Sequence, residues 1–173
     1  HGSQPVQSED GAVQVVFNGE IYNYVQLQDQ LRARGHRLAS ESDSECIPHL
    51  FEDRGADFIQ GLRGMFALAV WDSRRAELLL ARDRVGKKPL FYWEHGGRLW
   101  FASELKCLLG IPTLKRDIDP AALDCYLTYQ YVPAPLSIIA GVRKLPPAHR
   151  LNWRGGATRI SRYWHLEYAQ TGQ

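Results

Sequence analysis

The chain has 173 residues, 45% of them hydrophobic and 23% charged, with a formal net charge of +2. That length buries one substantial core, so one domain is expected, and the near-neutral balance excludes nucleic acid and an anionic membrane surface as expected partners. No apolar run reaches the roughly eighteen residues of a membrane span, the histidines form no HExxH or CxxC-paired metal pattern, and the odd cysteines Cys46, Cys107 and Cys125 suit free thiols in the cytoplasm better than a disulfide framework.

Val13 to Phe17 is a run of β-branched and apolar residues and predicts a buried strand. Asn23 is placed to cap a helix with Tyr24, Leu27 and Leu31 on one face, stopped at Gly35. Ser42-Asp43-Ser44-Glu45 has the pattern of a capping box and opens a second helix, with Cys46, Ile47, Leu50 and Phe51 inward, ending near Gly55. A short helix over Asp57 to Leu62 follows. The period then changes. Met65 to Trp71, Ala76 to Ala81, Leu90 to Trp93 and Arg98 to Ala102 read as strands. The first two are apolar throughout rather than alternating, which in a hairpin-connected sheet means that both faces are covered. Asp119-Pro120 starts a helix with Leu123, Leu127 and Tyr131 as its expected buried stripe, and Arg154 to Gly156 predicts a turn. The expected class is α+β, a sheet packed on a sheet with helices outside.

Several stretches, in order, carry a family resemblance: Phe17-Asn18-Gly19-Glu20-Ile21-Tyr22-Asn23, Ser42-Asp43-Ser44-Glu45, Gly64-Met65-Phe66-Ala67, Arg82-Asp83-Arg84-Val85-Gly86-Lys87-Lys88-Pro89-Leu90 and Phe101-Ala102-Ser103-Glu104-Leu105-Lys106. Together they resemble the class II glutamine amidotransferases, and Tyr131-Val132-Pro133, Gly141 to Pro147 and Arg162-Tyr163-Trp164 narrow this to the glutamine-hydrolysing asparagine synthetases. The resemblance covers residues 1–164 and implies an αββα sandwich of antiparallel sheets of the Ntn-hydrolase kind. It further implies glutamine as substrate and ammonia as product. ATP and magnesium are implied only for a C-terminal synthetase domain, which amidates aspartate in asparagine biosynthesis. Residues 165–173 would begin the linker to that domain, and no cofactor or metal is expected in the chain itself.

By the same resemblance Asn18 and Gly19 match the oxyanion hole, the Asn amide and the Gly N–H donating to the tetrahedral intermediate. Asp43 matches the carboxylate that holds the glutamine α-ammonium, with Glu20 a second candidate. Each has a plainer reading. Asn-Gly is a strong hairpin signal, although only Glu20 to Tyr22 would remain for the returning strand before the helix. Asp43 suits a helix N-terminus electrostatically, and Glu20 suits an exposed surface. Cys46 competes as a nucleophile in a first helical turn, but it shares the apolar stripe and reads as buried and structural. The basic stretch Arg82 to Leu90 lacks the spaced glycines of a phosphate loop and reads as a surface connection with Arg82 and Asp83 paired.

The family's nucleophile is a cysteine at the mature N-terminus, activated by its own α-amine. No stretch here matches its Met-Cys-Gly-like start, nor the Arg-containing stretch that binds the glutamine carboxylate. The expectation is therefore a glutaminase domain incomplete at its N-terminus and inactive in this form, with a second copy of the chain as a candidate partner for any face left open. The first residues also read as a candidate cloning remnant. A non-catalytic binding or assembly module on the same scaffold, and an amidotransferase with another ammonia acceptor, stay open as alternatives.

Overall fold

The computed structural model describes residues 3–168; the expectations for the first two residues and for most of the linker, 169–173, lie outside the described residues. In chain order the elements are β1 (Val6–Gln7), β2 (Val13–Ile21), α1 (Tyr24–Ala33), a 3-10 turn (Asp43–Glu45) running into α2 (Cys46–Arg54), and a second 3-10 segment (Gly55–Gly61). Then follow β3 (Gly64–Asp72), β4 (Glu77–Arg82), β5 (Phe91–His95), β6 (Arg98–Ala102), α3 (Leu105–Leu108), α4 (Pro120–Tyr129), β7 (Arg143–Lys144), β8 (His149–Arg154) and β9 (Ala157–Arg162).

The strands make two antiparallel sheets, one ordered β1-β2-β3-β4-β8-β9 and the other β6-β5-β7. β3 and β4 are apolar on both faces because both faces are covered. Phe66, Leu68 and Val70 join Leu79 and Ala81 against α1 and α2, with Leu27, Leu31, Ile47 and Leu50. The alternate residues Ala67, Ala69 and Leu80 meet Tyr92 of the second sheet and Leu90 and Leu145 at the ends of its strands. A third cluster, with Leu108, Leu114 and Val142, covers the far side of β5 at Trp93. The layers run helix, sheet, sheet, helix, which is the α+β sandwich expected from the sequence.

β2 runs further than Val13 to Phe17. It continues extended through Asn18-Gly19-Glu20 to Ile21, pairing Asn18 with Ala67, Gly19 with Phe66 and Glu20 with Met65. There is no hairpin. A β-carbon on Gly19 would sit 2.1 Å from the Met65 carbonyl oxygen, and one on Gly64 would sit 2.1 Å from that of Glu20. The glycine in the motif thus lets two backbones close on each other; it does not make a turn.

Four local expectations are corrected. Asn23 precedes α1 without capping it: its amide donates to the Gly61 carbonyl at 3.0 Å and accepts from the Arg63 N–H at 2.9 Å. Ser42 makes no capping-box bond, because Glu45 turns back to accept from Ala39 N and Ser40 Oγ. Arg82 and Asp83 are not paired. Arg82 donates to the carbonyls of Gly86, Lys88 and Leu145, while Asp83, 1% exposed, accepts from the N–H groups of Phe66, Val85, Lys87 and Lys88. Desolvation lowers the Arg82 pKa although the neighbouring Asp83 charge opposes it. Finally, Asp119 does cap α4, but the stripe is open: Leu127 is 74% and Tyr131 61% exposed, and only Ala122 of α4 is buried. Leu123 and Leu127 share one side of α4 and stay exposed, while Tyr131 lies past the helix end at Tyr129.

Gly64→Ala forces a β-carbon into a strand backbone that has no rotamer to yield. The expected cost is about 3 kcal/mol of stability, the upper range of overpacking, read from denaturant midpoints. A midpoint shift of less than ~0.5 kcal/mol would contradict the close β2–β3 contact.

Candidate active site

Antiparallel pairing turns successive N–H groups of β2 alternately toward β3 and away from it. Tyr22, just past the strand, donates to the Arg63 carbonyl on the β3 side. The opposite edge carries Phe17 N–H, which donates to Gln4 Oε1 at 2.8 Å, and Ile21 N–H, which donates to Asp43 Oδ2 at 2.8 Å. Gly19 lies midway between them, so its N–H leaves the same edge. The Gln4 side chain also donates to the Phe17 carbonyl at 2.8 Å, completing one rung of a strand ladder beside the site.

The side chains follow the same period. Asn18 is on the face of Ala67, toward the second sheet, and lines a cavity of about 260 Å³ with Val16, Leu90, Phe101, Ala102 and Ser103. Glu20 lies two residues on, on the same face, and is exposed. Asp43 comes from the 3-10 turn. Its Oδ1 accepts from its neighbour's N–H at Ser44 while Oδ2 ties the turn to Ile21, and the half-buried carboxylate keeps lone pairs free for another donor. The structure therefore brings Asn18, Gly19, Glu20 and Asp43 to one end of β2. It offers there an outward N–H, a neutral amide and two carboxylates.

Two supports were not visible as site residues in the sequence. Gln4 had no signal, since its role is a backbone mimic across thirteen residues. Asp83 lay in a motif with no assigned role. Its Oδ2 receives the Phe66 N–H at 3.2 Å and its own N–H donates to the Phe66 carbonyl at 2.8 Å, which fixes the residue directly opposite Gly19. Beyond β9 the chain returns to this anchor: Tyr163 Oη donates to the Arg82 carbonyl at 2.7 Å, and Arg84 stacks on Trp164 at 5.3 Å. Burial raises the Tyr163 pKa, helped by the nearby Asp83 charge.

The sequence profile of the glutamine amidotransferase domain matches residues 1–164. The chain is 38% identical over 154 residues to asparagine synthetase [glutamine-hydrolyzing] 3 of Bacillus subtilis, covering 88% of this chain and 25% of that protein. It is 45% identical over 145 residues to a putative asparagine synthetase [glutamine-hydrolyzing] of Mycobacterium tuberculosis strain H37Rv, covering 82% and 22%. The chain thus spans about a quarter of the length of these relatives. Among solved structures it is similar in fold to glutamine phosphoribosylpyrophosphate amidotransferase from B. subtilis, with a TM-score of 0.64, 20% identity, and coverage of 95% of this chain and 32% of that one.

Cys46 is fully buried in the helix–sheet core and its thiol donates to the Asp43 carbonyl at 2.9 Å. Burial raises its pKa to about 12, and the Asp43 charge adds to the rise. At pH 8 only about one thiol in ten thousand would be ionised. A native-state thiol titration should therefore modify exposed Cys107 rapidly and Cys46 only after unfolding. Equal rates for the two would contradict the buried placement.

Proposed function

The chain belongs to the glutamine amidotransferase domain family, and on that premise we propose that it is the glutaminase domain of an asparagine-synthetase-like enzyme. The observation that carries this reading is the outward N–H of Gly19, held between Gln4 and Asp43 on the open edge of β2 beside the Asn18 amide. Two neutral donors on neighbouring residues suit an oxygen that becomes negative only as a carbonyl is attacked. Fixed donors of this kind need no reorganisation as the charge develops. Asp43, with Glu20 as a second carboxylate, suits the α-ammonium of glutamine, whose desolvation is costly without a paired charge.

In this mechanism a cysteine thiolate attacks the side-chain amide carbon of glutamine. The carbonyl oxygen takes the electron pair and rests on Gly19 N–H and the Asn18 amide. Collapse of the intermediate, with the α-amine passing the thiol proton to the leaving nitrogen, expels ammonia, and water then hydrolyses the thioester to glutamate and the free thiol. Cys46 does not suit the nucleophile, since its thiol is buried, raised in pKa and committed to Asp43. The family's N-terminal cysteine, activated by its α-amine, is the group this reading requires.

The ammonia acceptor we propose is aspartate, activated with ATP and magnesium by a synthetase domain, in keeping with the names of the relatives. The open apolar side of α4 supports such a covering domain. Leu123, Tyr126 and Tyr131 line an apolar groove of about 500 Å³ with Phe91 and Ile118, a surface that a neighbouring domain could cover. A cytoplasmic setting is supported by the free thiols Cys46, Cys107 and Cys125.

Asp43→Asn in the full-length enzyme tests the substrate role. Removing a charge-assisted bond of about 1.5–3 kcal/mol weakens glutamine use by roughly ten- to a hundredfold. The remaining side-chain oxygen of Asn can still accept from Ile21 N–H, so the turn should hold with only the local Ser44 N–H bond given up. Synthesis from free ammonia should be unchanged, because ammonia bypasses the glutaminase site. Equal loss of both activities would make Asp43 a scaffold residue and remove it from the site.

A further inference from the structure

Glu9, in the turn between β1 and β2, His36, in the loop after α1, and His49 and Glu52, one turn apart on α2, each offer one ligand atom, and these atoms lie within 4.8 Å of one another. His49 is 1% exposed, and neither of its ring nitrogens makes a hydrogen bond of acceptable geometry. Its Nδ1 stands 3.1 Å from Glu9 Oε2 and its Nε2 3.8 Å from Glu45 Oε1. A buried imidazole with two unsatisfied nitrogens is an anomaly in a well-packed core. His36 repeats the arrangement, with Nδ1 3.6 Å from Glu9 Oε1 and Nε2 3.0 Å from Asp53 Oδ1. Each ring thus turns Nδ1 to Glu9 and Nε2 to a different carboxylate. At His36 the Asp53 carboxylate stands within hydrogen-bond reach, as outer carboxylates do behind metal-holding histidines, while Glu45 stands further off from His49.

From this geometry we propose that Glu9, His36, His49 and Glu52 bind a divalent transition-metal ion of the zinc class, with both histidines ligating through Nδ1. Two nitrogens and two carboxylate oxygens are a donor set that zinc accepts in four-coordinate geometry. Bonds of about 2.0–2.1 Å set donor separations near ~3.3 Å, so a modest contraction closes the cluster. The fixed partners leave donors to spare. Arg37 N–H occupies Glu9 Oε1 at 3.0 Å, leaving Oε2 toward His49, and Arg74 takes only Oε1 of Glu52, at 3.3 Å. Glu45, whose oxygens accept from Ala39 N–H and Ser40 Oγ, is pre-set behind His49. The expectation of no metal came from spacing along the chain, and these donors come from three separate segments.

Cobalt(II) titration of the full chain, followed by visible absorption and displaced by zinc, tests the site. One equivalent should bind with the visible bands of a four-coordinate nitrogen–oxygen site, chelator should remove it, and zinc should raise the melting temperature. His36→Ala and Glu52→Ala, at partly exposed positions, should each weaken binding at least tenfold while the metal-free protein keeps its native circular dichroism. His49→Gln should abolish binding. Absence of a one-to-one visible complex, or binding unchanged in His36→Ala and Glu52→Ala, would overturn the proposal; the latter would also transfer the metal to other ligands. The charged alternative, two imidazoliums bridged by Glu9, predicts no metal complex and loses to one.

Discussion

The backbone contact between β2 and β3 at Gly19 and Gly64 is the constraint from which the candidate site follows. Each glycine faces a carbonyl of the opposite strand at a distance that leaves no room for a β-carbon. Because the two strands close there, β2 stays extended through Asn18-Gly19-Glu20. An extended β2 sends the Gly19 N–H outward and keeps Asn18 on the sheet face. A turn at the same dipeptide would have sent the amide and the N–H in unrelated directions.

Two carboxylates, Asp83 buried and Asp43 half-buried, hold that strand from its flanks. Asp83 gathers backbone N–H groups from its own loop and from Phe66, so the residue opposite Gly19 is fixed by a negative charge surrounded by donors. Asp43 ties the start of the α2 segment to Ile21, two residues past Gly19. Both carboxylates work through backbone groups, and they position the strand independently of the side chains lining the cavity. The closing segment at Tyr163 and Trp164 bonds to the same Asp83 loop, which explains how motifs eighty residues apart belong to one structural unit.

Much of this was legible in the chain. β3 and β4 read as covered on both faces because Ala67, Ala69 and Leu80 alternate with Phe66, Val70 and Leu79 without a polar break, and each set has its own cluster. Cys46 read as structural because it shares a stripe with Ile47 and Leu50. The failures have a common physical cause. Asn23, Ser42 and Glu45 were assigned to local capping, yet their side chains found other partners, those of Asn23 about forty residues along the chain. Hydrogen-bonding capacity is a property of the residue; its partner is a property of the fold. Periodicity grouped Leu123, Leu127 and Tyr131 as a buried stripe, but α4 stops at Tyr129, short of Tyr131, and periodicity carries no information about what lies opposite. Gln4 left no pattern because a single side chain acting as a strand rung has none.

In the proposed mechanism the edge of β2 stabilises developing negative charge. Steady-state glutaminase kinetics of Asn18→Ala in the full-length enzyme read that stabilisation in kcat. Loss of one oxyanion donor should lower kcat by about a hundred- to a thousandfold, with the KM for glutamine little changed and synthesis from free ammonia intact. A variant with wild-type kcat, or one whose loss lies wholly in KM, would show that the Asn18 amide serves the bound substrate or the scaffold and not the transition state.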